Sequence, residues 1–165
     1  MKSPNAGLRF AAVAAAFLML AACSSNKDAT GASTDSTAGQ IRPGSAEDLA
    51  QNVGDRVFFE TDRSSLSDEA RATLQRQAAW MAQHGNLTFT IEGHADERGT
   101  REYNLALGGR RANAAKDYLV SLGVAASRLN TVSYGKERPV CLDSSESCWS
   151  QNRRAVTVIV SGVGS

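Results

Sequence analysis

The sequence predicts an α+β sandwich in which helices cover one face of a mixed four-stranded sheet. Two amphipathic helical patterns and four short apolar runs follow one another over residues 46–165 in the order β-α-β-α-β-β. The helical segments are long enough to be crossovers between strands, which favours a sheet of this kind over an all-β fold. Residues 46–165 are therefore expected to form one folded domain.

Residues 1–22 are predicted to be a signal peptide. Lys2 and Arg9 supply positive charge, and residues 10–20 form an apolar run, shorter than the roughly 20 residues that a membrane-spanning helix needs. The segment ends in Leu-Ala-Ala-Cys23, which resembles the lipobox of bacterial lipoproteins, where the cysteine is acylated and becomes the N-terminus. The alternative is an ordinary signal peptide that happens to precede a cysteine. By the same lipoprotein pattern, the serines after Cys23 indicate the outer membrane.

A flexible tether is expected to follow the lipidated cysteine, over residues 23–45. This segment is mostly Ser, Thr, Ala and Gly, and Ile41 is its only large apolar residue. Such a composition cannot bury enough apolar surface to offset the entropy of ordering the chain.

The net charge argues against binding to nucleic acid. The whole chain has 18 basic and 17 acidic side chains, and loss of Lys2 and Arg9 with the signal peptide leaves 16 and 17. Nucleic-acid affinity depends on neutralising phosphates with a basic surface. Recognition by the mature protein therefore has to depend on a few placed charges.

Capping residues and periodicity predict the first half of the domain. Ser45 is expected to cap a short helix that reaches Asn52, and residues 57–59 form the first strand. Ser67 begins a helix, ended by Gly85, with a buried stripe: Ala70, Leu74, Ala78 and Met81. Residues 87–91 then alternate between apolar and polar side chains, as in a half-buried strand.

The second half of the domain contains the longer helix. Residues 102–122 carry one apolar stripe, closed by Gly123: Gly108, Ala112, Ala115, Leu119 and Leu122. Residues 129–134 and 155–159 are the two remaining strands, and the stretch between them is expected to be irregular.

The densest polar cluster, residues 92–101, joins the second strand to the longer helix. Within that helix Asn104, Leu107 and Arg111 share one side, and Arg111 lies at the border of the buried stripe whereas Arg110 points away from it. If Asp96 and Arg111 face one cleft, they suit a ligand that carries both an ammonium and a carboxylate. Alternatively, the two side chains pair with each other or lie in solvent.

Several motifs resemble the signature of the OmpA-like peptidoglycan-binding domains. They include IEGHADERGT at residues 91–100, SYGKERP at 133–139 and QNRRAV at 151–156. The resemblance extends over nearly the whole domain from Val57 onward, and it implies the OmpA-like form of the predicted fold.

The resemblance implies that the domain binds the peptidoglycan stem peptide noncovalently through meso-diaminopimelate. Asp96 and Arg111 would be the main contacts. The other residues implied by position are Asn104, Leu107, Asp62 and the backbone of His94 and Ala95. The charged Glu60 before Asp62 departs from the family's usual pattern.

The resemblance also implies a location and partners. Lipoprotein members of this family are anchored in the outer membrane, face the periplasm, and partner TolB and other Tol components. Together these proteins support envelope integrity and cell division.

The competing hypothesis is an enzyme that cleaves the wall glycan with paired carboxylates, Glu92 and Asp96. Against it, the neighbouring arginines 98 and 101 can neutralise these acids. The sequence predicts neither a metal nor a cofactor, because its two histidines, His84 and His94, belong to no cluster with zinc spacing.

Two cysteines, Cys141 and Cys148, lie before the last strand. They could close a disulfide in an oxidising periplasm or remain free thiols.

Overall fold

The computed structural model of the protein describes residues 41–161. The predicted signal peptide 1–22, Cys23 and the tether up to residue 40 lie outside the described residues.

The described chain begins with a capped helical segment. Ser45 accepts a hydrogen bond from the Asp48 N–H at the start of helix α1, Ala46–Asp48. The helix then widens into a π-helical turn, Leu49–Val53, which the sequence pattern did not predict. Asp48 also accepts a hydrogen bond from the Trp80 indole at 2.9 Å, which ties this segment to the next helix.

Strand β1, Arg56–Phe58, precedes helix α2, Asp68–Gln83. Ser67 caps α2 as predicted, because its hydroxyl accepts the Ala70 N–H. All four residues of the predicted stripe of α2 are buried.

The remaining elements follow the predicted order with one addition. They are β2 (Thr88–His94), α3 (Arg101–Ser121), a 3₁₀ turn (Ala126–Arg128), β3 (Leu129–Gly135), α4 (Glu146–Asn152) and β4 (Arg154–Ser161). Helix α4 occupies the stretch that was expected to be irregular, so that expectation was wrong. Leu122 is also a correction: it lies one residue beyond the end of α3 and is 39% exposed, because the chain leaves the helix before its side chain can turn inward.

The sheet is mixed and four-stranded, as predicted, with the strand order β1-β4-β2-β3. Strand β4 runs antiparallel to both β1 and β2, whereas β2 and β3 are parallel. Phe89 and Ile91 point into the core under the helices, while Val158 and Val160 on the opposite face are exposed. The helices therefore cover one face.

A close contact between β2 and α3 sets the position of the longer helix. Both Gly93 and Gly108 lie at this contact, and a Cβ atom added to Gly108 would lie 2.8 Å from the Gly93 carbonyl oxygen. Only glycine permits this approach. It places the first turns of α3 directly beside the end of β2, where the polar cluster begins.

Among the helices of residues 41–161, none combines the length and apolar character that a membrane span requires.

Candidate ligand-binding site

The predicted site residues converge at the carboxyl end of β2. The pairing of β2 with β3 shifts register between Gly93 and His94, and the chain then forms the loop to α3. Three other parts of the fold meet this loop: the segment between β1 and α2, the first half of α3, and α4.

Arg111 is the most deeply buried charge at this position. Its side chain is inaccessible to solvent and donates three hydrogen bonds to backbone carbonyls, those of Arg63 at 2.9 Å, His94 at 2.9 Å and Glu60 at 3.0 Å. Burial lowers its pKa to about 10, although Asp96 and Asp62 act in the opposite direction. The guanidinium remains charged at neutral pH.

No carboxylate of the described residues forms an ion pair with Arg111. Carbonyl dipoles hold its charge instead. A buried cation without a counterion favours an anionic partner, because its attraction is weakly screened there.

Asp96 is also nearly buried, at 7% exposed, and it has two cationic partners. Arg98 donates from Nη2 to Oδ2 at 2.6 Å and from Nε to Oδ1 at 3.2 Å, and Arg153 donates from Nη1 to Oδ2 at 3.4 Å. Burial acts to raise the pKa of Asp96, but the hydrogen bonds and charge of Arg98 and the bond from Arg153 outweigh it, so the pKa lies below its ordinary value.

Asp96 and Arg111 therefore neither bond to each other nor lie in solvent, which were the two alternatives to a shared cleft. Their side chains belong to one region, with the acid capped by arginines and the arginine enclosed by carbonyls. Arg110 is exposed, which confirms the predicted contrast between the two neighbouring arginines.

The helix-side residues lie where the wheel placed them. Asn104 and Leu107 are buried on α3. Asn104 donates to the carbonyl of Arg98 at 2.8 Å, so it holds the loop that carries Asp96.

Asp62 forms part of the segment that covers Arg111. It is exposed, has a positive φ of 55°, and accepts a hydrogen bond from the Tyr103 hydroxyl at 3.3 Å. The backbone of this segment thus holds Arg111 in the interior, while the Asp62 carboxylate faces the surface.

His94 and Ala95 contribute through their backbones. The His94 carbonyl accepts from Arg111, and the Ala95 N–H donates to Gly135 at 2.8 Å. The His94 imidazole lies on the other side of the sheet, 2% exposed, and neither of its nitrogens has a hydrogen-bond partner. Burial, followed by the charges of Arg154 and Arg138, lowers its pKa to about 4.

Sequence reasoning missed the residues of α4 and its C-terminal cap, Arg153, that surround Asp96. Arg153 donates to the Phe59 carbonyl at 3.0 Å and also binds the carboxylate of Glu146. Trp149 lies under the guanidinium of Arg98, 4.1 Å from ring centre to Cζ, and its indole donates to Glu97 at 2.9 Å. Arg153 lies in one of the motifs that carried the family resemblance, which was a signal for it.

A disulfide holds the start of α4. Cys141 and Cys148 form this bond, and Cys148 is buried. The Asn152 side chain accepts from the Val140 N–H at 2.8 Å and donates to the Cys141 carbonyl at 2.7 Å. The bridged loop therefore supports Trp149 and Glu146 against the site.

The carboxylates invoked for catalysis do not work as a free pair. The Glu92 Oε2 lies 3.6 Å from the His94 Nε2, on the face of the sheet away from the helices. Asp96 is held by two arginines. A glycosidase needs a general acid whose pKa is raised, opposite an ionised carboxylate. Asp96 does not fit the role of this acid, because its pKa is lowered.

Comparisons with known proteins agree on one family. The OmpA family model matches residues 58–154. A peptidoglycan-associated lipoprotein of Mesorhizobium japonicum is 58% identical over 152 residues, covering 91% of this chain and 90% of the relative. The protein of the same name from Rhizobium meliloti is 59% identical and covers 90% of this chain and 85% of its own.

Solved structures agree on the fold. The crystal structure of the peptidoglycan-associated lipoprotein from Burkholderia pseudomallei has a TM-score of 0.63 at 44% identity, covering 64% of this chain and 90% of that one. The C-terminal domain of Helicobacter pylori MotB has a TM-score of 0.62 at 19% identity, covering 66% and 86%, which is a likeness of fold alone.

Proposed function

The chain belongs to the OmpA family, among the peptidoglycan-associated lipoproteins, and we propose that it anchors the outer membrane to the cell wall by binding the stem peptide of peptidoglycan. It is a binding protein and not an enzyme. Cys23 would carry the lipid, residues 23–45 would be the tether, and residues 46–165 would hold the wall.

The observation that carries the proposal is the buried, unpaired charge of Arg111 beside the carboxylate of Asp96. Meso-diaminopimelate ends in a carbon that bears both an amine and a carboxylate. Its carboxylate would accept hydrogen bonds from the Arg111 guanidinium, and its ammonium would donate to Asp96. Asn104 and Leu107 would form the helix side of this site, with the backbone of His94 and Ala95 at the strand end.

Access to Arg111 would require movement of the segment that contains Glu60, Asp62 and Arg63. Two carbonyls of this segment hold Arg111 in the free protein. A ligand carboxylate would replace these neutral acceptors with a charged group that can accept two parallel hydrogen bonds from the guanidinium. Asp62 would then be the opposite wall of the opened site.

Titration of the mature chain with defined muropeptides tests this proposal. Cys23→Ser gives a chain without lipid, and the muropeptides should contain either diaminopimelate or lysine at the same position. We expect binding of the diaminopimelate form, weakened about tenfold or more in Asp96→Asn and in Arg111→Lys, which corresponds to at least ~1.4 kcal/mol. Arg110→Lys, next to Arg111 but exposed, is the matched control, and thermal melts establish that each variant is folded. Equal affinity of all variants would refute the site.

The membrane location and the Tol partnership are separate parts of the proposal. Cys23→Ser should release the protein from the outer membrane while wall binding in solution is retained. Association with TolB and other Tol components, and a role in envelope integrity and cell division, are supported by the family relationship. Co-purification of TolB with the lipidated chain is the expected result, and its absence would remove that part alone.

A further inference from the structure

Asp96 is not available to a ligand in the described structure, because Arg98 occupies it. The Arg98 side chain makes two hydrogen bonds to the carboxylate, at 2.6 and 3.2 Å, in the forked arrangement that guanidinium and carboxylate groups favour. Its position is the one that a ligand ammonium would need. A ligand ammonium would therefore have to compete with Arg98 for Asp96.

Of the two arginines on Asp96, only Arg98 is placed to leave. The Arg153 side chain is 5% exposed and is bonded to the Phe59 carbonyl, whereas the Arg98 side chain is 38% exposed. The bond of the Arg98 backbone N–H to Asp96 Oδ1, at 3.1 Å, does not depend on its side chain. The carboxylate can thus keep its position when the Arg98 side chain moves away.

A second carboxylate, that of Glu146, lies close to the Arg98 guanidinium. The Arg98 Nη2 is 3.9 Å from a carboxylate oxygen of Glu146 and 3.3 Å from the Thr61 hydroxyl, and the guanidinium stacks on Trp149. Movement of a few ångströms toward Glu146 would exchange one carboxylate for another while the ring contact is kept.

We propose that Arg98 is an internal substitute for the ligand ammonium, which covers Asp96 in the free protein and moves toward Glu146 when an amine binds. This inference rests on the proposed function, since it concerns the same carboxylate. Arg98 then tunes affinity from within the protein, because every bound amine has to displace its side chain from Asp96.

The test is the affinity of Arg98→Gln for a diaminopimelate muropeptide, measured by calorimetry on the mature chain with Cys23→Ser. We expect affinity to rise about two- to fivefold, the range that corresponds to loss of a partly exposed ion pair. Arg101→Gln is the matched control, because it removes the same charge from the next arginine, which pairs only with Glu137 in the described ion pairs. Its affinity should stay within about twofold of wild type.

Each outcome bears on the inference. Weaker binding by folded Arg98→Gln would mean that Arg98 contacts the ligand directly, and unchanged binding would mean that it does not compete; both overturn the proposal. If the wild type itself does not bind, the proposed function fails instead.

A measurement on the wild type covers the case in which Arg98→Gln does not fold. The Arg98 Nε–H should exchange with water faster when the muropeptide is bound, because it leaves Asp96. Equal or slower exchange would overturn the proposal.

Discussion

Replacement of Arg111 by methionine should destabilise the domain even without ligand. Methionine has a similar length, so the change removes the guanidinium while the buried stem remains. Three carbonyl oxygens, those of Glu60, Arg63 and His94, then lose their donor. Residues 60 and 63 are exposed and their carbonyls can be rehydrated, whereas the bond to His94 is fully buried.

The size of the effect follows from these differences. A buried acceptor without a partner costs about 1–3 kcal/mol, and acceptors that water can reach cost less. Relief from burying the guanidinium offsets part of the sum, so we expect a loss of about 2–4 kcal/mol in the free energy of unfolding. For a domain of about 120 residues this lowers Tm by about 8–16 °C.

The assay is thermal and urea unfolding of the mature chain, with Arg110→Met as control. Arg110 precedes Arg111 on α3 and is exposed, so its replacement should change stability by less than about 0.5 kcal/mol. If Arg111→Met and Arg110→Met unfold together, the three carbonyl bonds contribute little to the fold and the reasoning is wrong.

Three further predictions concern the frame around the site. Gly108→Ala should lower the free energy of unfolding by about 1–3 kcal/mol, because its Cβ overpacks against β2. A Cβ on Gly109 would meet nothing nearer than 3.9 Å, so Gly109→Ala should stabilise α3 by up to about 1 kcal/mol. Equal melting temperatures of the two variants would contradict the close contact between Gly108 and Gly93. The free energy of unfolding should fall as pH falls from about 6.5 to about 4, because His94 takes up a proton in the unfolded chain but not in the folded one, where burial lowers its pKa. The loss is up to about 3 kcal/mol. Urea unfolding of His94→Gln should lack this part of the pH dependence. Replacing Cys141 and Cys148 by serine should lower the free energy of unfolding by about 2.5 kcal/mol in the loop-entropy model, and unchanged melting with and without reductant would contradict it.

The position of Arg111 was predictable from sequence, but its environment was not. Helical periodicity places the residue at the border of the buried stripe of α3, and Gly108 on the same stripe indicates close packing there. The carbonyls that hold its side chain come from residues 60, 63 and 94, up to 51 positions away. No local pattern encodes backbone acceptors, since every residue has one.

For Asp96, too, the nearby partner was predictable from the sequence and the distant one was not. Arg98 lies two residues away, so its pairing with Asp96 was within reach of sequence reasoning, whereas Arg153 is 57 residues distant. Helix α4 was missed because its residues, Glu146–Asn152, contain no apolar period. The disulfide and the side chain of Asn152 hold this helix, and such tertiary support overrides weak local propensity.

The unequal surroundings of Asp96 and Arg111 lead to a prediction about selectivity. The amine of a ligand has to compete with Arg98 for Asp96, which lowers its net contribution to affinity, whereas the ligand carboxylate meets an arginine without an ion-pair partner among the described residues. A stem peptide with lysine brings the amine but not the second carboxylate. We therefore expect the lysine muropeptide to bind at least about tenfold more weakly than the diaminopimelate form.

In Arg98→Gln both peptides should gain affinity by the same factor, because both amines lose the same competitor, and the ratio between the two affinities should stay constant. A ratio that changes in Arg98→Gln would mean that Arg98 reads the carboxylate, and the division of labour between Asp96 and Arg111 would have to be abandoned.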